Sequence, residues 1–313
     1  MPVDAVTGAF GYTGRYIARR VLAGGRAVRT LTGHPDRANP LGQEVDVRPF
    51  TFADPDRLAA NLRGVDTLYN TYWIRFARGA VDHDAAVRHS RALIAAAEAA
   101  GVRRFVQVSI TGADPASRLP YFRGKGLVED ALRQSRLSWA IVRPALIFGP
   151  EDVLIHNIAW ILRRLPIFAV FGDGRYRVRP VHVEDLADIC VRASVRRDQT
   201  ETDAVGPERF TYEELVDAVA LAIGEARPVL HLPPALAWVG TLPLGWMVGD
   251  VVVTRDEIRG LMAGLLDVEG PSTGQRRFRD WLRQDANALG RVWASEMGRH
   301  FRDRERATTD DAP

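Results

Sequence analysis

Residues 7–14 read Thr7-Gly8-Ala9-Phe10-Gly11-Tyr12-Thr13-Gly14, directly after the strand-like Val3-Asp4-Ala5-Val6, and they open into a segment with helical periodicity. A T-G-x-x-G-x-x-G run between a first strand and a first helix constrains the backbone on both sides. Gly8 permits a tight turn, Gly11 lets backbone amides approach a bound anion, and Gly14 lets the helix pack close against the strand. The helix start beyond it presents unpaired N–H groups and a partial positive charge, which suits a pyrophosphate. The position of the run, at the head of an alternating pattern, predicts dinucleotide binding.

The alternation runs through the first 150 residues. Strands are expected over 3–6, 28–31, 45–50, 67–70, 105–109 and 139–142, with helices over 16–22, 56–62, 84–100 and 121–134. This βαβα rhythm predicts an α/β fold, a doubly wound parallel sheet of Rossmann type covered by helices on both faces. After Phe148-Gly149-Pro150 the rhythm changes. Residues 151–180 are rich in Trp, Phe and Arg, and 206–300 read as helices with proline breaks, so these two stretches are assigned to a smaller, mostly helical, substrate-covering lobe. Residues 1–150 and 181–200 make the nucleotide-binding domain, the latter through a strand at Val181-His182 and a helix over 184–195, with Asp185 expected to cap that helix and His182 expected to be structural. The tail at 303–313 is charged, without apolar periodicity, and is expected to fray.

One lysine stands among 42 Lys+Arg residues, and it lies in Tyr121-Phe122-Arg123-Gly124-Lys125. In a chain that otherwise uses arginine, a retained lysine points to a site that needs a compact ammonium on a flexible stem. Tyr121 and Lys125, four residues apart, share one helix face and can serve one substrate atom. Gly124 and Gly126 each cost the helix about 1 kcal/mol relative to Ala. Either the helix passes close to other backbone, or the local geometry departs from a catalytic one.

The glycine spacing, the Tyr121/Lys125 pair, Arg143-Pro144 and Phe148-Gly149-Pro150 together resemble the short-chain dehydrogenase/reductase superfamily, most of all its extended and atypical branches. Within these the chain is similar to NAD-dependent epimerase/dehydratase-like proteins and to the Rossmann-type accessory subunit of respiratory complex I. The resemblance implies that Tyr121 is the general acid/base and that Lys125 holds the nicotinamide ribose and lowers the Tyr121 pKa. It also implies that a hydroxyl after the fifth strand, Ser109 or Thr111, holds the substrate oxygen. Expected cofactor contacts are Thr7, Gly8, Phe10, Gly11, Tyr12, Thr13 and Gly14, with Thr32, His34, Asn70 and Lys125. Where relatives place an acid for a ribose 2′-OH, this chain has Thr32-Gly33-His34. With Arg15, Arg29 or Arg37 as 2′-phosphate partners, NADP is favoured over NAD. The implied activity is an NAD(P)-dependent oxidoreductase or epimerase-like reaction; the alternative is a non-catalytic NAD(P)H-binding accessory or sensor protein.

Composition excludes other classes. A net charge of +3 over 313 residues gives little support to a nucleic-acid partner, and the Arg-rich stretch 275–283, interleaved with Phe278 and Trp281, reads as an amphipathic helix. The single Cys190 rules out an intramolecular disulfide, and seven scattered histidines give no metal-ligand spacing, so no metal is expected. With no basic and apolar leader before residue 3, a cytoplasmic location is expected. The stretch 229–253 is mostly apolar but carries Pro233, Pro234, Pro243 and Asp250. It reads as a buried or interfacial segment rather than a membrane span, and it leaves peripheral membrane or respiratory-complex contact open. The apolar second lobe implies a small, partly apolar substrate. The tyrosine-rich Tyr69-Asn70-Thr71-Tyr72-Trp73 either lines that pocket or caps the core.

Overall fold

A computed structural model describes residues 1–42, 44–77 and 81–300, so the expected fray at 303–313 lies outside the described residues. The chain divides into two compact units: Met1–Ala145 with Val181–Pro207 and Val268–Gln275, and Leu146–Pro180 with Glu208–Asp267 and Arg276–Pro313.

The first unit is built on a seven-stranded sheet. Its strands are β1 (Val3–Thr7), β2 (Ala27–Thr32), β3 (Asp46–Pro49), β4 (Val65–Asn70), β5 (Arg104–Val108), β6 (Ser138–Pro144) and the strand Thr200–Ala204. Their spatial order is 3-2-1-4-5-6 with Thr200–Ala204 beyond β6, and every pairing is parallel. This is a Rossmann-like α/β fold, with the strand order reversing at β1 and β4, where such folds take their ligands. The central strands are buried, as in a sheet covered on both faces, and mix apolar residues with buried polar ones such as Asp4, Asn70 and Arg104. The helices are α1 (Tyr12–Ala23), α2 (Pro55–Leu62), α3 (His83–Ala99), α4 (Pro120–Arg133) and the helix Val183–Val195. Val183–Val195 packs on α1 and on β5 and β6.

Two local expectations are corrected. α1 begins four residues before the periodic segment, because its N-cap is Gly11, with no side-chain cap and no acid in the first turn. Helix Val183–Val195 is capped by His182, whose Nδ1 accepts from Glu184 N at 3.2 Å, whereas Asp185 accepts from Gln275 N at 2.7 Å and so holds the 268–275 segment within the unit.

The second unit has its own core, made by Phe148, Ile155, Ile158, Leu162, Phe210 and Leu215 with Phe278, Trp281 and Leu282. The stretch expected to be an amphipathic helix forms Phe278–Asp285 and buries those last three residues. Small strands join the helices: Phe168–Phe171 pairs in parallel with Val229–Leu232, and Arg177–Val178 pairs with Phe210–Thr211. The 229–253 stretch is not buried. It forms a strand and the helix Pro234–Val248, which is started rather than broken by Pro233 and Pro234, carries Pro243 inside, and buries only Ala237. Trp246 is 89% exposed there. Among the described residues no helix is long and apolar enough to cross a membrane.

Candidate active site

The glycine loop is shaped by its own hydrogen bonds. Gly8 has φ +64°, the left-handed region that glycine reaches without a Cβ penalty. Its N–H donates to Leu31 O at 2.8 Å, and Gly11 N donates to Gly8 O at 2.8 Å. A Cβ on Gly14 would lie 2.3 Å from Gly8 O, so only glycine lets α1 pack this close to the loop. Phe10 is buried, while Tyr12 and Thr13 form the first helical turn, whose N–H groups lie at the positive end of the helix dipole with no capping side chain. An anionic group fits this end.

Thr7 serves as a clamp. It is fully buried, and its hydroxyl donates to Asn70 Oδ1 at 3.0 Å while accepting from Thr71 N at 2.7 Å and Tyr72 N at 3.0 Å. Asn70 spends its amide internally, accepting also from Tyr72 N and donating to Gln107 Oε1 at 2.9 Å. Asn70 is thus fully buried and fixes the loop after β4. Thr7→Val keeps the shape but leaves Thr71 N–H without its acceptor and removes the donor to Asn70 Oδ1, while Tyr72 N–H keeps Asn70 Oδ1, so it is expected to destabilise the protein by about 1–3 kcal/mol. Urea unfolding checks this; a midpoint unchanged from wild type would show that the loop is held by other contacts.

At the end of β2, Thr32 is buried and its hydroxyl accepts from His34 N at 3.1 Å, with His34 half-buried. Of the three arginines considered for a 2′-phosphate, Arg29 is committed elsewhere: it binds Asp46 at 2.6 Å and the carbonyls of Asn61 and Arg63.

Lys125 and Tyr121 stand on α4. Lys125 is 3% exposed, its Nζ donates to Val108 O at 2.9 Å, and it lies 4.7 Å from the centroid of the Trp73 ring. Burial lowers its pKa from the ordinary 10.5 to about 7, partly opposed by the Glu129 carboxylate one turn on. Glu129 is itself engaged by Arg143 at 2.6 Å and Arg133 at 2.9 Å. Ser109 is the residue after the Lys125 anchor. It is 3% exposed, its N–H donates to Val142 O, and its Oγ has no hydrogen-bond partner among the described residues. Thr111 is buried as well, with its N–H on Pro144 O at 3.0 Å. The Tyr121 ring is half-buried and meets Trp73, His83 and Phe122 edge to face, with centroids 5.9, 5.8 and 5.6 Å away.

The two helix glycines now have a cause. A Cβ on Gly126 would lie 2.3 Å from Pro115 N, and one on Gly124 would lie 2.9 Å from Trp73 Cη2. The close-approach alternative therefore holds: one glycine admits the 114–115 backbone and the other admits an indole. Trp73 thus belongs to the Tyr121–Lys125 face, and His83, whose ring stacks on Trp73 at 6.1 Å, joins it. Sequence reasoning did not single out His83. For Trp73 the available signal was Gly124, because a glycine inside a helix marks a place where something bulky arrives. Among the described residues no cluster of His, Cys, Asp or Glu could hold a metal ion.

The chain has relatives among known proteins. Residues 8–153 match a family model described as NAD(P)H-binding. The chain is 30% identical over 255 residues to the ceramide reductase of Caulobacter vibrioides, covering 78% of each chain. It is 26% identical to the mitochondrial NADH dehydrogenase [ubiquinone] 1 alpha subcomplex subunit 9 of Arabidopsis thaliana, a match over 80% of this chain that spans only 65% of the plant subunit. Among solved structures, the triphenylmethane reductase of Citrobacter sp. superposes with a TM-score of 0.76 at 17% identity, over 92% of this chain and 100% of that one.

Proposed function

We propose, since the chain belongs to the NAD(P)H-binding family, that it is an NAD(P)H-dependent reductase in which Tyr121 moves the proton. The observation that carries this reading is the Tyr121–Lys125 face itself: the only lysine of the chain, buried and tied to Val108 O, beside a buried Ser109 hydroxyl that has no hydrogen-bond partner among the described residues. A buried hydroxyl left unsatisfied costs about 1–3 kcal/mol, which a substrate oxygen would recover. The likeness to a ceramide reductase supports reduction over epimerisation.

When bound, the nicotinamide supplies a hydride. The residues that would hold the cofactor are the amides of the Gly8–Gly14 loop and first turn of α1, Thr32 and His34 at the end of β2, and Lys125 at the ribose. Ser109 would orient the acceptor oxygen, with Thr111 behind it. Tyr121 would give that oxygen its proton, and the Lys125 ammonium, where present, favours the tyrosinate left behind. NADPH is the favoured form: no carboxylate ends β2 to repel a 2′-phosphate, and Arg15 and Arg37 lie near the two ends of that subsite in sequence. Titration with NADPH and with NADH, followed by nicotinamide fluorescence, should give saturable binding with NADPH the tighter. Binding of neither by folded, nucleotide-free protein would remove the cofactor and the reaction together.

A second reading, a non-catalytic NAD(P)H-binding accessory protein, draws on the likeness to a respiratory-complex subunit and on the exposed apolar helix Pro234–Val248. It shares the cofactor titration and differs at turnover: no hydride exchange with any carbonyl, sugar or quinone acceptor.

A further inference from the structure

Trp73 does more than fill the space over Gly124. Its indole Nε1 is buried and has no hydrogen-bond partner among the described residues. Trp139 and Trp281 share that condition, so an unpartnered N–H alone singles out nothing; those two are buried inside the apolar cores, whereas Trp73 is only partly buried and packs against the edge of the first core. Trp73 sits where chemistry is proposed. Its ring covers Lys125 Nζ, rests on the α carbon side of Gly124, meets the Tyr121 ring at 84° and stacks with His83. The ring is also held in register. The backbone just before it is pinned through Thr71 N and Tyr72 N to the Thr7 hydroxyl, at the head of the glycine loop.

We propose that Trp73 is a substrate-binding residue, and that its indole N–H donates to the carbonyl oxygen of the acceptor. The proposal rests on the reductase reading and deepens it by naming the substrate class: a carbonyl compound, whose oxygen takes hydrogen bonds from Trp73 Nε1 and Ser109 Oγ. Nε1 is the one polar atom of the indole and has no hydrogen-bond partner among the described residues, and an edge donor selects an oxygen in the ring plane rather than a group stacked on the ring. In the reaction a hydride adds to the carbonyl carbon, the C=O π pair moves onto oxygen, and that oxygen takes the Tyr121 proton. An alcohol and the oxidised nicotinamide result, and water reprotonates the tyrosinate. Trp73 keeps its proton throughout, so its contribution is to binding and alignment.

The test uses the full chain labelled with 15N, whose seven tryptophans give seven indole cross-peaks. Trp73→Phe removes and so assigns one, and the persistence of the others shows that the variant is folded. NADPH is titrated first, which examines the reductase reading by itself. NADP+ is then combined with cyclohexanone or with menadione. The expected result is that the Trp73 indole proton moves downfield on adding the ketone or quinone to the NADP+ complex, and that Trp73→Phe weakens the carbonyl ligand about tenfold with the cofactor affinity unchanged. A Trp73 signal that moves fully with the cofactor alone would assign the N–H to the nicotinamide carboxamide and overturn the proposal. A signal unmoved by either carbonyl in protein that does bind NADPH would overturn it while leaving the cofactor reading in place.

Discussion

Replacing Lys125 with methionine is expected to make the cofactor-free protein more stable at neutral pH, not less. The ammonium is enclosed, with a backbone carbonyl as its hydrogen-bond acceptor and an indole face above it. Burial favours the neutral amine, so the folded-state pKa is depressed from 10.5 to about 7. The sign follows from proton counting: between these values the unfolded chain binds a proton that the folded chain does not, so stability rises with pH across that window. It is fully present above 10.5, falls as the pH drops towards 7, and levels off below. The span corresponds to about 5 kcal/mol at most. Methionine keeps the length and removes the charge, so unfolding free energies of wild type and Lys125→Met, measured from pH 6 to 10 and subtracted, should converge at high pH and diverge in favour of the variant at low pH. The subtraction cancels other titrating groups such as His89, whose own pKa is lowered by burial. A variant less stable than wild type at pH 6 would mean that the Val108 and Trp73 contacts outweigh the desolvation of the charge. The expected outcome has a functional meaning. A lysine that costs the fold stability stays because a ligand needs it, and the same variant should bind NADPH more weakly.

The parts of the molecule that could be read from sequence are those whose determinants are local. The glycine loop announces itself because strand, turn and helix start are contiguous, and Tyr121 and Lys125 because a helix brings residues four apart together. Six of the seven strands were legible as apolar runs. The seventh, Thr200–Ala204, was not: Thr-Glu-Thr-Asp-Ala is an edge strand pairing only with β6, so it needs no apolar face on both sides. The start of α1 was hidden because a helix whose N-cap is Gly11 has no Ser, Asp or Asn to mark it. Ser109 and Thr111 could not be separated by strand alternation, being two apart. What separates them is a tertiary fact, the Ser109 Oγ that meets no partner among the described residues. Arg29 looked available to a phosphate in sequence, and the sheet commits it to Asp46. His83 and Trp73 reach Tyr121 from the far ends of separate segments, and no spacing rule spans that distance.

Tyr121→Phe separates an enzyme from a binding protein more sharply than any other single change. The phenyl ring preserves the edge contacts with Trp73, His83 and Phe122, so the variant should fold with a stability within about 1 kcal/mol of wild type. It should also bind NADPH as wild type does, because the loop and Lys125 are intact. Without the hydroxyl, the alkoxide formed as hydride arrives has no positioned proton donor, and the loss expected for removing a general acid is about 100- to 10,000-fold in kcat. KM should change far less, since Ser109 still binds the ground-state oxygen. Steady-state turnover of an identified carbonyl substrate by wild type and variant, with cofactor affinity measured on both, decides it. Unchanged turnover would strip Tyr121 of its role and shift the proton to another group on this face, with His83 the nearest titratable ring. A wild type that binds NADPH but reduces nothing would make the Tyr121 hydroxyl a structural feature of a cofactor-holding protein. The buried, charge-bearing Lys125 would then be explained by the ribose alone.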